Sequence, residues 1–311
     1  MYRNDPTVLL SGGVGGARMA RGLAAVLDEG DLTVVVNVGD DDEMYGLHVA
    51  ADLDTVTYTL AATEGREGWG VRDDTFATME GLAELGIDTR FRLGDRDLVT
   101  CLARTISLSE GGLLSAYTTK LAAALGVAQR ILPATDDVVR TEVQTPDGTW
   151  LGFQDYFVLR GTRDEVAAVR YRGADAAKPA PGVVDAIRNA SLVVIAPSNP
   201  PLSVWPILAV PGIREAVADH PCVIAVSPLI GGRALKGPAD RVMASLGLPA
   251  GNEGVAAAYT GLLDHLVIDH EDTADIAMLQ TRCPVTATDT RIAAADAAAR
   301  LAAEIIELGG C

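Results

Sequence analysis

The sequence predicts an α/β fold: a doubly wound, mostly parallel, Rossmann-like sheet carrying a helical insertion. Three observations lead there. A short apolar run turns through a glycine loop straight into a helix-forming stretch. The β-branched runs are continuous rather than alternating, as in strands buried on both faces. In the second half such runs alternate with helical segments. A length of 311 residues allows one or two domains, and 49% hydrophobic residues supply ample core.

Thr7 to Leu10 reads as the first strand, followed at once by Ser11-Gly12-Gly13-Val14-Gly15-Gly16. Ala17 to Leu27 reads as helix and Leu32 to Val38 as a second strand, which completes a βαβ unit. Residues 52–126 change character. Helices are expected at Thr55–Ala62, Asp74–Leu85, Asp97–Ser107 and Leu114–Leu125, punctuated by glycines, with Phe91-Arg92-Leu93 extended. Arg140–Gln144, Pro146-Asp147-Gly148 and Thr149–Phe153 give a hairpin signal. Gln154–Arg160 and Val166–Tyr171 are expected to extend the sheet. Buried strands follow at Leu192–Ala196, Cys222–Ser227, His265–Asp269 and Pro284–Ala287, with helices between them and a final Ala-rich helix over Arg291–Leu308. The domain reading is a Rossmann-like core over 1–51 and 127–311, interrupted by the helical 52–126.

Composition excludes several classes. Lys and Arg number 25 against 42 Asp and Glu, a net charge of −17. Nucleic-acid binding by phosphate neutralisation, and attraction to anionic membranes, both need a surplus of basic residues. The four cysteines show no C-x-x-C spacing, and Cys222, in an apolar run, reads as a buried reduced thiol. The opening Met1 to Pro6 has no signal-peptide core, no apolar run spans a bilayer, and a cytoplasmic location is the default. The four histidines lack zinc spacing, and neither G-x-S-x-G nor H-E-x-x-H occurs.

Four groups of residues can carry chemistry. Gly12, Gly13, Gly15 and Gly16 expose backbone N–H groups beside a helix N-terminus, which favours anions. The spacing fits neither G-x-G-x-x-G nor a Walker A loop, so dinucleotide and P-loop readings fall away. The bland alternative is a tight strand-to-helix turn. Asp40, Asp41, Asp42 and Glu43 follow the second strand, and Asp52-Leu53-Asp54 opens the insertion. Strand C-terminal ends share one edge of a parallel sheet, so these carboxylates and the glycine loop face one crevice. Oxygen donors suit a hard cation such as Mg²⁺. Helix capping by Asp52 or Asp54 and a solvated charge run at 40–43 are the competing explanations. In Leu93-Gly94-Asp95-Arg96-Asp97, Asp97 reads as an N-cap, while Arg92 and Arg96 can meet a phosphate or an aspartate. Ser198 and Asn199, then Gly231 and Gly232, follow two later strands and reach the same edge. Together these loops suit a nucleotide-sized crevice.

Six motifs in register carry a resemblance. Ser11-Gly12-Gly13-Val14-Gly15-Gly16-Ala17-Arg18, Ala51-Asp52-Leu53-Asp54-Thr55, Asp74-Thr75-Phe76, Leu93-Gly94-Asp95-Arg96-Asp97, Pro197-Ser198-Asn199-Pro200 and Val226-Ser227-Pro228-Leu229-Ile230-Gly231-Gly232 occur in this order, and Phe153-Gln154-Asp155-Tyr156-Phe157 also fits. The chain resembles the 2-phospho-L-lactate transferase / phosphoenolpyruvate transferase family of coenzyme F-420 biosynthesis, with a first loop like that of actinobacterial members. The resemblance implies a phosphotransferase acting on substituted phosphate groups. Its acceptor would be the deazaflavin Fo and its donor a guanosine diphosphate carrying enolpyruvate or lactate. The terminal ribityl hydroxyl of Fo would attack the distal phosphorus and GMP would leave. It further implies Mg²⁺, a homodimer, metal or catalytic roles for Asp54 and Asp40, and a deazaflavin site at Asp54 and Arg92 with Arg96 in reserve, to which the insertion contributes. The donor would lie against Gly12, Gly13, Gly15, Gly16, Ser198, Asn199, Gly231 and Gly232. The alternative is a UDP-sugar-binding regulator of a related glycine-loop family.

Overall fold

The computed structural model describes residues 6–310. Met1–Asp5, read above as lacking a signal-peptide core, and Cys311 lie outside the described residues. Seven strands form the main sheet: β1 (Thr7–Ser11), β2 (Leu32–Val36), β3 (Arg130–Pro133), β4 (Leu192–Ile195), β5 (Val223–Val226), β6 (His265–Asp269) and β7 (Val285–Thr288). Their order is β7-β6-β5-β4-β1-β2-β3, and every neighbouring pair is parallel. The chain winds outward from β1 to β3 and then returns to lay β4 on the other side of β1. That reversal makes β1 and β4 the topological switch point, where a crevice opens beyond the strand C-termini. Leu9 lies opposite Val34 in β2 and Val194 in β4, all fully buried. This is why the runs read as continuously apolar.

Helix α1 (Gly13–Val26) lays Met19, Ala20 and Leu23 on the core. The insertion supplies α2 (Ala51–Leu60), α3 (Ala77–Glu84), α4 (Asp95–Ser109) and α5 (Leu114–Ala124). Leu53 and Val56 of α2, and Leu114 and Ala122 of α5, join the main core, whereas α4 closes a small cluster of its own with Val49, Leu93 and Cys101. The insertion is therefore bolted to the sheet by its first and last helices, with α3 and α4 as the excursion.

Three expectations need correction. The hairpin of Arg140–Gln144 with Trp150–Gly152 is present, but with Ala168–Arg172 it makes a separate antiparallel sheet and does not extend the main one. Gln154–Arg160 is not a strand: residues Asp155–Leu159 form a helical turn. Phe153 and Phe157 stack at 5.2 Å, the four-residue spacing of a helix face, and Arg160 N–H closes on the Asp155 carbonyl. The segment satisfies its own amides. Cys222 is buried but disulfide-bonded, not a reduced thiol. Its Sγ lies 3.9 Å from the Gly309 carbonyl, a meeting of chain segments that local spacing does not reveal.

Candidate active site

The glycine loop and the Pro197–Asn199 loop meet across the switch point. Ser198 Oγ, buried, donates to the Gly12 carbonyl at 2.7 Å. A Cβ on Gly15 would overlap the Pro197 carbonyl oxygen, so the close approach of the two loops itself requires glycine there. Gly16 is held as closely by Ser11 and Ser198. Gly12 is the N-cap of α1 and offers no side chain, and the first turn of the helix has no acidic residue. Asp52 supplies the missing anion: its carboxylate accepts from Asn37 Nδ2 at 2.9 Å and lies against the first residues of the helix. Asn199 Oδ1 accepts from Leu202 N–H at 3.3 Å and caps the turn Pro200–Val204. Neither Asp52 nor Asp54 caps its own helix, whose N-cap is Ala50. That competing explanation falls.

Beside this loop the carboxylates form two neighbouring groups. Asp40 and Asp52 make one. Burial and the Asp52 charge raise the Asp40 pKa well above the usual carboxylate range, and its Oδ1 has no hydrogen-bond partner. Burial also pushes Asp52 up to about 6. Asp54 and Asp97 make the other. Asp54 is paired with the guanidinium of Arg104, yet burial and the Asp97 charge push it up to about 7. Asp97 accepts from Tyr58 Oη at 2.9 Å and is itself raised by burial. Asp41 stands between them and raises both Asp52 and Asp54. Its Oδ2 is 3.1 Å from His48 Nε2, and its Oδ1 is buried without a partner. An unmet buried carboxylate is costly unless a cation or a proton compensates it. Orphaned oxygens on a set of aspartates fit a hard divalent cation. Cys101, whose sulfur clusters with Asp54 and Asp97, is too soft a donor for such an ion.

Asp41, Asn37, Asp97 and Arg104 are the site residues that sequence reasoning passed over or assigned elsewhere. Arg104 had one available signal: it shares the buried face of α4 with Cys101 and Asp97 at helical spacing, and a guanidinium there demands an acidic partner.

The Gly94-Asp95-Arg96-Asp97 motif is a helix-start device. Asp95 accepts from Thr75 Oγ1 and from the N–H groups of Ala77 and Thr78, capping α3. In return Asp74 accepts from the N–H groups of Arg96 and Asp97, capping α4, whose N-cap residue is Gly94. Asp97 is thus inside the helix, not its cap. Arg92 is exposed and lies 4.2 Å over the Phe76 ring, and Arg96 is exposed at the start of α4. Gly231 and Gly232 both have positive φ and form the turn between two short strands, Leu229–Ile230 and Arg233–Ala234, with the Asp272 carboxyl against their amides. Above the glycine loop, the segment 63–72 returns on itself through a Glu64–Val71 bridge, and Glu64 holds Arg21 at 3.1 Å. Its Glu67 reaches Lys236 at 3.6 Å, joining the two loops over the crevice.

The model of the family described as 2-phospho-L-lactate transferase CofD matches residues 7–307. The chain belongs to this family. It is 41% identical, over 97% of both chains, to the phosphoenolpyruvate transferase of Streptomyces griseus. It is 39% identical, again over 97% of both, to the 2-phospho-L-lactate transferase of Methanocaldococcus jannaschii. The family makes the chain a transferase, and the regulator kept as the alternative gains no support. A Bacillus halodurans protein of the UPF0052 family shares the fold at a TM-score of 0.63 and 17% identity, covering 99% of this chain and 100% of that one. Among the described residues no helix is long and apolar enough to cross a membrane.

Proposed function

We propose that this CofD-family member moves a phosphoenolpyruvyl or 2-phospho-L-lactyl group from a guanosine diphosphate donor to Fo, releasing GMP, in the cytoplasmic synthesis of coenzyme F-420. One observation carries the reading. At the switch-point crevice of a chain this similar to named transferases, buried aspartates with unpartnered oxygens stand beside a helix N-terminus. Anion-binding amides and cation-binding carboxylates side by side are what transfer between two phosphate-bearing partners needs.

The donor's diphosphate would lie at the α1 N-terminus, against Gly12, Gly13, Gly15 and Gly16, with Ser198 and Asn199 across the crevice. Gly231 and Gly232 are the weaker donor contacts, because Asp272 already sits on their amides. Arg92 faces the acceptor side, with Arg96 in reserve. Asp40 and Asp41 would hold Mg²⁺ with their unpartnered oxygens. When bound, the ion offsets the phosphate charge and the mutual repulsion of these carboxylates. Asp54 has a separate task. Arg104 fixes its Oδ1, and Oδ2 takes the proton from the Fo hydroxyl as that oxygen bonds to the distal phosphorus. The bond from that phosphorus to the bridging oxygen breaks, and GMP departs with the electron pair. A proton acceptor with a pKa of about 7 is matched to this task.

Mass spectrometry of the product formed from Fo and each guanylylated three-carbon acid tests the proposal. A phosphodiester of Fo with one of these acids, accompanied by equimolar GMP, is the expected result. Absence of any such product with all donors in the presence of Mg²⁺ overturns it.

A further inference from the structure

The three-stranded sheet of Arg140–Gln144, Trp150–Gly152 and Ala168–Arg172 is tied to the carboxylate wall. Thr141 N–H donates to the Gly39 carbonyl at 2.7 Å, and Gln154 Nε2 donates to the Asp40 carbonyl at 2.6 Å. Where this sheet meets the loop after β2 a cleft opens, lined by Asp41, Asp42, Arg140, Thr141 and Arg172 among others. Arg140 and Arg172 stand directly opposite each other across their strand pair, so their side chains leave one face of the sheet about 5 Å apart. Like charges so placed repel. Arg140 is half-buried and has no ion-pair partner among the described residues, and one of its Nη groups donates to the Val139 carbonyl. Arg172 donates its Nε to Glu142 at 2.9 Å, but Glu142 also holds Arg170, which lies 4.0 Å over the Trp150 ring. One carboxylate on this face therefore serves two guanidiniums, and a third has none. The Nη groups of Arg172 make no hydrogen bond among the described residues. Thr141 Oγ1 is buried and unpartnered.

We infer that Arg140 and Arg172 are a clamp for the carboxylate of the transferred three-carbon acid, and so determine specificity at the acid end of the donor; the inference rests on the transfer proposed above. Place and charge argue for that occupant. The glycine loop follows β1 and the cleft follows β2, its parallel neighbour about 4.8 Å away in the sheet. With the diphosphate on the α1 amides, the acid esterified to the distal phosphorus extends past Asp40 and Asp41 toward the two guanidiniums. A carboxylate relieves their repulsion, and its two oxygens match the planar N–H forks. A phosphate suits the cleft less well. Asp41 and Asp42 also line it, and they repel a dianion about twice as strongly as a single negative charge. Part of the clamp is set before a substrate arrives: Trp150 holds Arg170, Arg170 holds Glu142, and Glu142 fixes the Nε of Arg172 while leaving its outer N–H groups to the ligand.

Steady-state transfer to Fo from two donors tests the inference. One is the guanylylated acid that the wild type turns over, and the other is its counterpart with a carboxamide in place of the carboxylate. The wild type is expected to favour the carboxylate donor in kcat/KM at least about tenfold, the weight of one charge-assisted hydrogen bond. Arg140→Gln with Arg172→Gln should abolish that preference, chiefly through donor KM, with KM for Fo unchanged. Arg140→Lys keeps the charge but not the fork, and should retain only part of the preference. A variant that folds poorly loses both donors together, so the ratio between them reports the clamp alone. A wild type indifferent to the carboxamide, or a preference that survives the double variant, overturns the inference while the transfer itself stands. A wild type that turns over no guanylylated acid overturns the proposed transfer, and the clamp with it.

Discussion

The two walls of the crevice are built on opposite principles. On the glycine-loop wall most polar groups have partners, Ser198 with Gly12, Asp52 with Asn37 and Asn199 with Leu202, and Ser11 Oγ alone of the loop is buried without one. On the carboxylate wall they do not. Asp40 and Asp41 each bury an oxygen with no partner, and Asp40 and Asp54 have raised pKa values. A satisfied wall is a scaffold that holds its shape without a ligand. An unsatisfied one stores unfavourable charge that only a cation or a proton removes. The contrast separates the positioning half of the site from the reacting half.

The largest effect should come from Asp54. Asp54→Asn removes the proton acceptor and should lower kcat by about 10²- to 10⁴-fold. It also separates the 1%-exposed Arg104 from its charge partner, so the melting temperature is expected to change together with the rate. Turnover near wild type would break the assignment of the reacting wall and shift it to Asp40.

Asp40→Asn should behave in the opposite way. It relieves repulsion and an unmet buried charge, so in chelator the melting temperature should rise by a few degrees, about 1 kcal/mol for a domain of this size. Mg²⁺-dependent turnover should fall at least about tenfold. Chelation of the wild type should abolish turnover, and Mg²⁺ should restore it. Full activity in excess chelator would mean that the carboxylates serve some other cation-free purpose.

The pH dependence sharpens the same contrast. Asp52 and Asp54 titrate in the folded chain near 6 and 7, above the unfolded value near 4. The folded state therefore binds more protons than the unfolded state in between. Their contribution to stability in chelator should be fully present near pH 4 and be lost as pH rises to about 7. Urea unfolding at pH 5 and pH 7.5 checks this. Added Mg²⁺ should flatten the fall, because it binds the ionised carboxylates. A stability that instead rises over this interval would show that the acids are compensated within the protein.

On the satisfied wall the effects should be smaller and structural. Gly15→Ala should cost about 1–3 kcal/mol by forcing the Pro197 carbonyl away. Lost donor binding in a Gly15 variant therefore does not by itself report a phosphate contact. Ser198→Ala, which deletes one buried hydrogen bond, should cost about 1 kcal/mol and is the cleaner probe. With it, donor KM should rise while the chelator-dependent behaviour stays unchanged. A changed Mg²⁺ requirement would show that the two walls are not separable.

Much of this was legible along the chain. Continuous apolar runs such as Leu32–Val36 and Leu192–Ile195 declared parallel strands, because a strand covered on both faces has no polar side to show. The glycine loop declared a strand-to-helix turn, and the order of the motifs declared the family, which the family match bears out. Local pattern misled at Gln154–Arg160, where the apolar and aromatic residues that suggested a strand instead pack at helical spacing.

Tertiary structure alone decided what the acidic motifs are. In sequence, Asp40–Glu43, Asp52-Leu53-Asp54, Asp74 and Asp97 are equivalent carboxylates near glycine turns. Folding gives Asp74 and Asp95 to helix ends, Asp52 to the α1 N-terminus, and Asp54 to Arg104, fifty residues away. It leaves Asp40 and Asp41 buried and incompletely bonded. The pattern of apolar residues is a local record of burial, so it survives in the sequence. A carboxylate's role depends on which distant donors reach it and how much water is excluded, and both exist only once the chain has closed on itself.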